Sequence, residues 1–338
     1  MNVLEAKDLS ISFTGRNGIS VPIVSNISFT LKCGEILALV GESGCGKSIS
    51  CMALSRLLPS PPAVVSGTVN LKKRDGTLID VLQLSGKELR KIRGGEIAYI
   101  FQDPSVSLNP VFRIGKQIGE VLSLHRPEIT DQTGEIISLL RKVGIPAPEV
   151  RMKCYPHELS GGMQQRVMIA MALASNPSIL VADEPTTALD VTIQAQILDL
   201  LKQLRDEQGM SVILVTHNLG IVSEMADRVC VMYAGRIAET ASVEELMNHP
   251  QHPYTRALLK AIPHLGEEKG PLSTIPGTVP QPSDFPAGCR FCDRCQVYAE
   301  HPEFPCKTTV PEVLEIRDQH FTACHWNNRQ KESGNAAV

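Results

Sequence analysis

Residues 41–48 read Gly41-Glu42-Ser43-Gly44-Cys45-Gly46-Lys47-Ser48, and they carry the strongest indication of the fold of this chain. They match the phosphate-loop pattern G-x-x-x-x-G-K-[ST], and residues 35–40 before them predict a strand while residues 48–58 after them predict a helix. The glycines allow backbone N–H groups to close around phosphate oxygens, aided by the positive end of the helix. Lys47 would reach the β- and γ-phosphates of a nucleotide, and the Ser48 hydroxyl would bind Mg²⁺. A chance match is the alternative, against which the flanking strand and helix argue.

Other apolar runs extend this unit into a sheet. Residues 96–101, 179–182 and 212–216 are predicted to be strands, because uninterrupted short apolar runs are typical of strands buried on both faces. Strands that alternate with helical stretches predict a mainly parallel α/β sheet.

Two regions differ in character from this sheet. Residues 103–175 lack strand signals and show helical periodicity, which predicts an α-helical subdomain inside an α/β domain of residues 1–262. Residues 263–338 are rich in Pro, Gly and Cys, which predicts a linker, a small irregular cysteine-rich module and a frayed tail from residue 327.

The composition and net charge of the chain argue against some classes of function. The 338 residues are 43% hydrophobic and 4% aromatic, and their net charge is −3. These values argue against a general nucleic-acid surface and against base-stacking platforms. No apolar run approaches the roughly 20 residues of a membrane-spanning helix, and the first ten residues lack the features of a signal peptide. We therefore expect a cytosolic protein whose membrane association comes from a partner.

A pair of acids follows the predicted strand at residues 179–182. Asp183 would hold Mg²⁺ through water, and Glu184 would polarise an attacking water as general base. Alone, two acids at a solvated strand end are commonplace. Together with the phosphate loop they predict nucleotide hydrolysis.

A second glycine-rich segment lies in the predicted helical region: Leu159-Ser160-Gly161-Gly162-Met163-Gln164-Gln165. Serine and glycine just before a helix offer an anion-binding N-terminus. Two such sites in one chain make sense if two subunits pair head to tail, each offering this segment to the γ-phosphate held by the other. A helix cap that happens to contain glycines is the alternative.

Together these motifs resemble the ATP-binding-cassette (ABC) ATPases over about residues 3–262. Residues 41–48 and 179–184 are similar to the Walker A and Walker B motifs of that family, and residues 159–164 to its signature sequence. The resemblance implies a P-loop NTPase fold, with ATP and Mg²⁺ as cofactors and ATP hydrolysis as the reaction.

Further positions match the family by order and spacing. The resemblance implies that Gln102 is the Q-loop glutamine, which senses Mg²⁺ and touches the membrane subunit, and that His217 is the switch histidine at the γ-phosphate. A lone histidine is more often structural. Ala188-Leu189-Asp190 resembles the D-loop, and Phe13 stands where the family usually has an aromatic residue stacked on adenine.

The chain is similar to one ABC subfamily in particular, the ATPases of dipeptide, oligopeptide and nickel importers. The resemblance rests on residues 101–104 (FQDP), 107–110 (SLNP), 249–259 (HPQHPYTRALL) and the cysteine tail. It implies a peripheral subunit on the cytoplasmic face of the membrane that powers import, most simply of di- or oligopeptides. Its partners would be two transmembrane permease subunits, a second and related ATPase subunit, and indirectly an extracytoplasmic solute-binding protein.

The resemblance also implies a catalytic cycle. Two cassettes close around ATP, with Mg²⁺ held by Ser48, Gln102 and Asp183, while Ser160 and Gly162 complete the site of the partner. Two alternatives stay open. The solute could be nickel or another small solute, and a non-transport ABC ATPase acting on nucleic acid or ribosomes would need no membrane partner.

Five of the ten cysteines lie near the C-terminus: Cys289, Cys292, Cys295, Cys306 and Cys324. Disulfides are not expected in a cytosolic chain. The resemblance implies that Cys289, Cys295, Cys306 and Cys324 occupy the positions at which some members bind a [4Fe–4S] cluster. Four thiolates suit zinc equally well, and free buried thiols are the structural alternative. Cys292 departs from the family spacing and is either a fifth thiol or a replacement for one of the four.

Overall fold

The computed structural model describes residues 1–15, 17–187, 189–261 and 275–332. Its strands are β1 (Asn2–Thr14), β2 (Ser20–Lys32), β3 (Ile36–Val40), β4 (Ala63–Lys72), β5 (Leu78–Asp80), β6 (Ile97–Ile100), β7 (Ile179–Asp183), β8 (Ser211–Thr216), β9 (Arg228–Tyr233), β10 (Arg236–Ser242), β11 (Val313–Arg317) and β12 (His320–Ala323).

Its α-helices are α1 (Lys47–Ala53), α2 (Gly86–Ile92), α3 (Pro104–Ser107), α4 (Ile114–His125), α5 (Gln132–Lys142), α6 (Pro148–Arg151), α7 (Gly161–Ala174), α8 (Val191–Gln208), α9 (Leu219–Met225), α10 (Val243–Asn248), α11 (Pro253–Lys260), α12 (Gln296–Glu300) and α13 (His325–Glu332). Short 3₁₀ turns occur at Val81–Gln83, Pro156–Glu158, Pro282–Asp284 and Cys292–Arg294. None of the helices in the described ranges is long and apolar enough to cross a membrane.

The chain divides into two compact units, each assembled from separate segments. The first unit comprises Met1–Leu4, Leu31–Glu35 and Asn70–Val215, and the second comprises Glu5–Thr30, Ile36–Val69 and Thr216–Val338. Part of the predicted linker, residues 263–274, and the last six residues of the predicted tail lie outside the described residues. Residues 327–332 of that tail belong to α13, so the prediction that they are frayed was wrong.

Parallel strands form the centre of the first unit. β6 pairs with β7 in the register Ile97 to Ile179, and β7 pairs with β8 in the register Ile179 to Ser211. Ile179 to Ala182 and the whole of β8 are buried, as the uninterrupted apolar runs predict. The described chain between β6 and β7 forms helices α3 to α7, and α4, α5 and α7 pack on one another through their apolar faces.

The second unit combines one parallel pair with antiparallel strands. β3 and β9 are parallel, with Val40 beside Val231, whereas β9–β10, β10–β12 and β12–β11 are antiparallel. The antiparallel strands were not predicted from the sequence. The pairing of β12 with β10 attaches residues of the C-terminal part of the chain to the rest of the second unit through backbone hydrogen bonds.

Strands β2, β1 and β4, which lie mainly in the second unit, form a further sheet that the sequence did not predict. Leu4, Ala6, Leu9 and Ile11 of β1 are buried, so the inward alternation shifts by one residue between Ala6 and Leu9. Asp8 lies in this interval with a φ of 50°, which is the geometry of a bulge. The irregularity conceals the period of two that identifies a half-buried strand.

A buried polar pair joins β12 to β10. His320 Nε2 lies 2.6 Å from Glu239 Oε1, and both side chains are almost completely inaccessible. The backbone N–H groups of Gln251 and His252 also donate to Glu239. Burial raises the pKa of Glu239, but hydrogen bonds from His320, Thr255 and these two N–H groups outweigh that effect and hold the pKa below its usual value.

Candidate nucleotide site

The phosphate loop leaves β3 and enters α1 within the second unit. β3 is buried along its whole length, so it fixes the start of the loop. Gly41 has a φ of 149°, and a Cβ at this position would overlap the carbonyl oxygen of Met232. Gly46 caps α1 with a φ of 99°. Both positions therefore require glycine, as the motif predicts.

Lys47 closes the loop from inside. Its Nζ donates to the carbonyl oxygen of Gly41 at 2.7 Å and to that of Glu42 at 3.1 Å, and only 5% of the residue is exposed. Ser43 and Gly44 are exposed at the tip, and Ser48 is half-buried at the start of α1. Cys45 points inward, and burial raises the pKa of its thiol. The loop thus holds the buried Lys47 ammonium group beneath residues 43 and 44, which are exposed.

Residues from distant parts of the chain hold this loop in place. Tyr254 Oη accepts a hydrogen bond from the N–H of Glu42 at 2.9 Å, and Arg294 Nη1 lies 2.9 Å from Glu42 Oε2. The N–H of Gly235 donates to the carbonyl of Cys45 at 2.8 Å. Tyr254 and Arg294 were missed from the sequence, because they follow Glu42 by more than 200 residues and belong to no phosphate-binding motif.

The second unit also contains the predicted adenine and γ-phosphate contacts. Phe13 is half-buried near the end of β1. His217 is exposed between β8 and α9, and Asn218 beside it caps α9 by accepting hydrogen bonds from the N–H groups of Gly220 and Ile221. The cap fixes the backbone at His217, while the imidazole remains accessible.

The first unit brings Gln102 and Glu184 into direct contact. Gln102 Nε2 donates to Glu184 Oε2 at 3.1 Å, and Thr187 Oγ1 donates to the same oxygen at 2.8 Å. Asp183 ends β7 and is half-buried beside Glu184. Two positions that lie 82 residues apart in the chain, each assigned by resemblance, are therefore neighbours.

The backbone at Glu184 is strained. Its φ of 45° lies in the left-handed region, which non-glycine residues rarely adopt. The N–H of Glu184 donates to the carbonyl of Val215 at 2.9 Å, and this bond to β8 holds the conformation. Such strain persists where the surrounding structure enforces it, and it is concentrated at functional sites. The carboxylate of this strained residue is the one that accepts from Gln102.

The signature segment begins α7. Ser160 is exposed and caps the helix by accepting from the N–H of Met163 at 3.4 Å, so the helix cap that was the alternative interpretation is present. Gly161 is exposed, and a Cβ on Gly162 would lie 3.2 Å from Ile193 Cγ2. Lack of a side chain at Gly162 therefore lets α7 approach the start of α8.

Asp190 caps α8 by accepting from the N–H of Ile193 at 2.9 Å. Ile193 is also the residue that a Cβ on Gly162 would approach, so the signature segment and the end of the predicted D-loop lie near one another in the first unit. Ala188 of the D-loop lies outside the described residues.

The five C-terminal cysteines line one small cavity in the second unit, together with Phe291, Phe304 and Trp326. All are free thiols. Burial, reinforced by Cys324, Cys295 and Cys292, raises the pKa of Cys306 to about 12, and burial also raises that of Cys324 to about 11. Across the described ranges, no group of three or more His, Cys, Asp or Glu residues is arranged as a site for a metal ion.

Two protein-family models match separate segments of the chain. The family model described as ABC transporter matches residues 24–187, and the one described as oligopeptide/dipeptide transporter, C-terminal region, matches residues 238–301. A putative peptide import ATP-binding protein of Brucella ovis is 45% identical over 332 residues, which are 95% of this chain and 96% of the relative. The oligopeptide transport ATP-binding protein OppD of Bacillus subtilis is 47% identical over 94% of this chain and 87% of its own length.

Solved structures agree with the fold. A dimeric ATP-binding cassette in a post-hydrolysis state with ADP and Pi is 28% identical, covers 71% of this chain and 98% of its own, and has a TM-score of 0.62. A Clostridium perfringens subunit of the cbiONQ ABC transporter complex is 28% identical, covers 73% and 91%, and has a TM-score of 0.59. The matches at 45% identity or more over nearly the whole chain identify it as a member of the ABC transporter ATP-binding protein family.

Proposed function

We propose that this protein is the ATP-hydrolysing subunit of an ABC importer for di- or oligopeptides. The observation that carries the proposal is the match of residues 238–301 to the C-terminal region of oligopeptide and dipeptide transporters, in a chain whose relatives are described as peptide import proteins. Its place is at the cytoplasmic face of the membrane, bound to two permease subunits and a second ATPase subunit, with a solute-binding protein on the opposite side.

The phosphate loop binds the nucleotide in this proposal. Its backbone N–H groups and Lys47 hold the β- and γ-phosphates, and Ser48 binds Mg²⁺. The closed loop around Lys47 supports this role, because the ammonium is sequestered among carbonyl oxygens that phosphate oxygens can replace as partners. Phe13 stacks on adenine, and its aromatic face rather than a polar group makes that contact.

Hydrolysis is assigned to residues of the first unit and to His217. Glu184 orients and deprotonates the attacking water, Asp183 and Gln102 bind Mg²⁺ directly or through water, and His217 stabilises the γ-phosphate. The contact between Gln102 and Glu184 supports this assignment, because it holds the carboxylate in one orientation.

The signature segment contacts the γ-phosphate of the nucleotide that the partner subunit binds, through Ser160, Gly161 and Gly162. Ser160 and Gly161 are exposed and Gly162 is half-buried at the N-terminus of a 14-residue helix, which supports the proposal because that end of a helix carries N–H groups without intrahelical partners and a positive partial charge. Asp190 caps the neighbouring helix and holds the D-loop at the same surface. The head-to-tail arrangement implies that an isolated subunit hydrolyses ATP slowly.

For the cysteine cavity we propose a [4Fe–4S] cluster held by Cys289, Cys295, Cys306 and Cys324. Thiolates are the ligand type that such a cluster needs, and these four cysteines line one cavity together with Cys292; burial there raises the pKa of Cys306 and Cys324, an effect that a bound cation reverses. Bound there, the cluster would crosslink segments of a small module, a role that zinc could fill equally well.

Elemental analysis of anaerobically purified protein tests this proposal. About four iron and four sulfide per chain support the cluster, whereas zinc in a colourless sample contradicts it, as does a metal-free sample in which all ten thiols titrate after unfolding. Cys292→Ser decides whether the fifth cysteine is a ligand, because metal content is unchanged if Cys292 is free.

Co-purification tests the transport function. The membrane complex and its solute-binding protein are isolated together, and the ligand bound to the latter is identified by mass spectrometry. A di- or oligopeptide supports the proposal, while nickel or another small solute supports the alternative cargo. Stimulation of the ATPase by nucleic acid or ribosomes, with no permease recovered, contradicts a transport role.

A further inference from the structure

We propose that Arg294 is a positioning residue for the phosphate loop, acting through the carboxylate of Glu42. This inference rests on the proposed role of residues 41–48 in nucleotide binding. Arg294 ends the 3₁₀ turn Cys292–Arg294 of the C-terminal part of the chain, and Glu42 is the second residue of the loop. Their charged groups meet at 2.9 Å.

The pair is largely shielded from water. The side chain of Arg294 is 9% exposed and that of Glu42 is 25% exposed, unlike the two exposed partners of the Lys307–Asp293 pair in the same region. Charge interactions strengthen where water is excluded, and exposed pairs contribute little. The Arg294–Glu42 pair is therefore a contact through which this region can act on the loop.

Arg294 is held rigidly on the side away from the loop. Its Nε donates to the carbonyl of Pro276 at 2.7 Å, and its Nη2 approaches the carbonyls of Ile275 and Gly277 at 3.4 and 3.3 Å. Nη1 also donates to Tyr233 Oη at 3.2 Å. A planar guanidinium with partners on several sides has one orientation, which makes it a fixed point for Glu42.

A displacement of Glu42 would also move the groups that we assign to phosphate binding. The N–H of Glu42 donates to Tyr254 Oη, and its carbonyl accepts from Lys47 Nζ at 3.1 Å. Tyr254 packs edge-on against Tyr233 with ring centroids 4.6 Å apart, so the hydroxyl cannot follow a moving loop. A shift at Glu42 therefore changes the position of Lys47 and the direction of the loop N–H groups.

Loss of the positive charge of Arg294 would weaken nucleotide binding in addition to the change in loop position. Among the described residues, Glu42 Oε1 is buried without a hydrogen-bond partner, so Arg294 is the residue that neutralises this carboxylate. Without Arg294, an uncompensated negative charge would lie in the loop that receives a polyanion. Both effects weaken nucleotide binding, whereas the groups assigned to the chemical step, Glu184 and Gln102, are unchanged. We expect a higher Kd and KM for ATP with kcat nearly unaltered.

The experiment is a double-mutant cycle on the full-length chain with a fluorescent ATP analogue as the probe. Arg294→Ala and Glu42→Gln should each raise the Kd about tenfold or more, and the double variant should bind no more weakly than Arg294→Ala alone. Lys307→Ala is the matched control, and its Kd should equal that of the wild type. ATP turnover in the assembled transporter gives KM and kcat.

Arg294→Lys keeps the charge and loses the planar fork, so an intermediate Kd is expected. It is the variant to use if Arg294→Ala does not fold, as judged by thermal unfolding. Wild-type affinity in the folded Arg294 variant, or additive losses in the double variant, overturns the inference. Lys47→Ala separates it from the proposed function: undiminished ATP binding in that variant contradicts the assignment of the loop itself, whatever Arg294 does.

Discussion

Replacing Glu184 by Gln removes a carboxylate and leaves the shape of the side chain intact. Glu184 accepts hydrogen bonds from Gln102 Nε2 at 3.1 Å and Thr187 Oγ1 at 2.8 Å, and the amide oxygen of the substituted side chain can accept both. The fold and ATP binding should therefore persist. Loss of a general base should lower kcat about 10²–10⁴-fold, which corresponds to ~3–5 kcal/mol in the activation barrier.

The assay compares phosphate release with ATP binding in the same preparation. Glu149→Gln, which changes a carboxylate in an exposed pair with Arg141, is the matched control and should hydrolyse ATP at the wild-type rate. We expect Glu184→Gln to retain bound ATP and to form a stable nucleotide-loaded complex. Wild-type turnover in Glu184→Gln would refute the assignment of the general base, and loss of ATP binding would show that the carboxylate has a different role.

Three further changes test the structure around the site. Gly41→Ala should abolish ATP binding and lower the free energy of unfolding by about 2 kcal/mol or more, because the new Cβ overlaps the carbonyl of Met232; nucleotide titration and thermal unfolding measure both. His320→Ala should cost about 1–3 kcal/mol in denaturant unfolding, because it removes one hydrogen-bond partner of the buried Glu239 carboxylate, which keeps those from Thr255, Gln251 and His252, whereas Lys307→Ala in an exposed pair should cost little. Because the pKa of Glu239 is lowered by folding, its contribution to stability is present above its unfolded pKa of about 4.5 and is lost as the pH falls through the folded value; Glu239→Gln should flatten that part of the stability curve.

Local sequence chemistry predicted the parts of the site that one segment can specify. Gly41 and Gly46 require glycine because of their own backbone geometry, and Ser160 caps the helix that follows it. The buried strands near Glu184 were found because an uninterrupted apolar run has few alternatives.

Features that depend on distant residues were not predictable in this way. Arg294 and Tyr254 reach Glu42 only because the chain folds back on itself, and neither residue carries a local signal. β1 escaped prediction because the bulge at Asp8 interrupts its alternation. The pairing of β12 with β10 places His320 beside Glu239, which composition alone cannot indicate.

We expect ATP hydrolysis by this chain to drive peptide import. Uptake of a labelled peptide is measured in proteoliposomes that contain the complete transporter, with the solute-binding protein and the peptide outside and ATP enclosed inside. We predict uptake that needs ATP on the side of this subunit and that disappears with Glu184→Gln. Uptake that continues in that variant, or ATP turnover that no peptide-loaded binding protein changes, would contradict the claim.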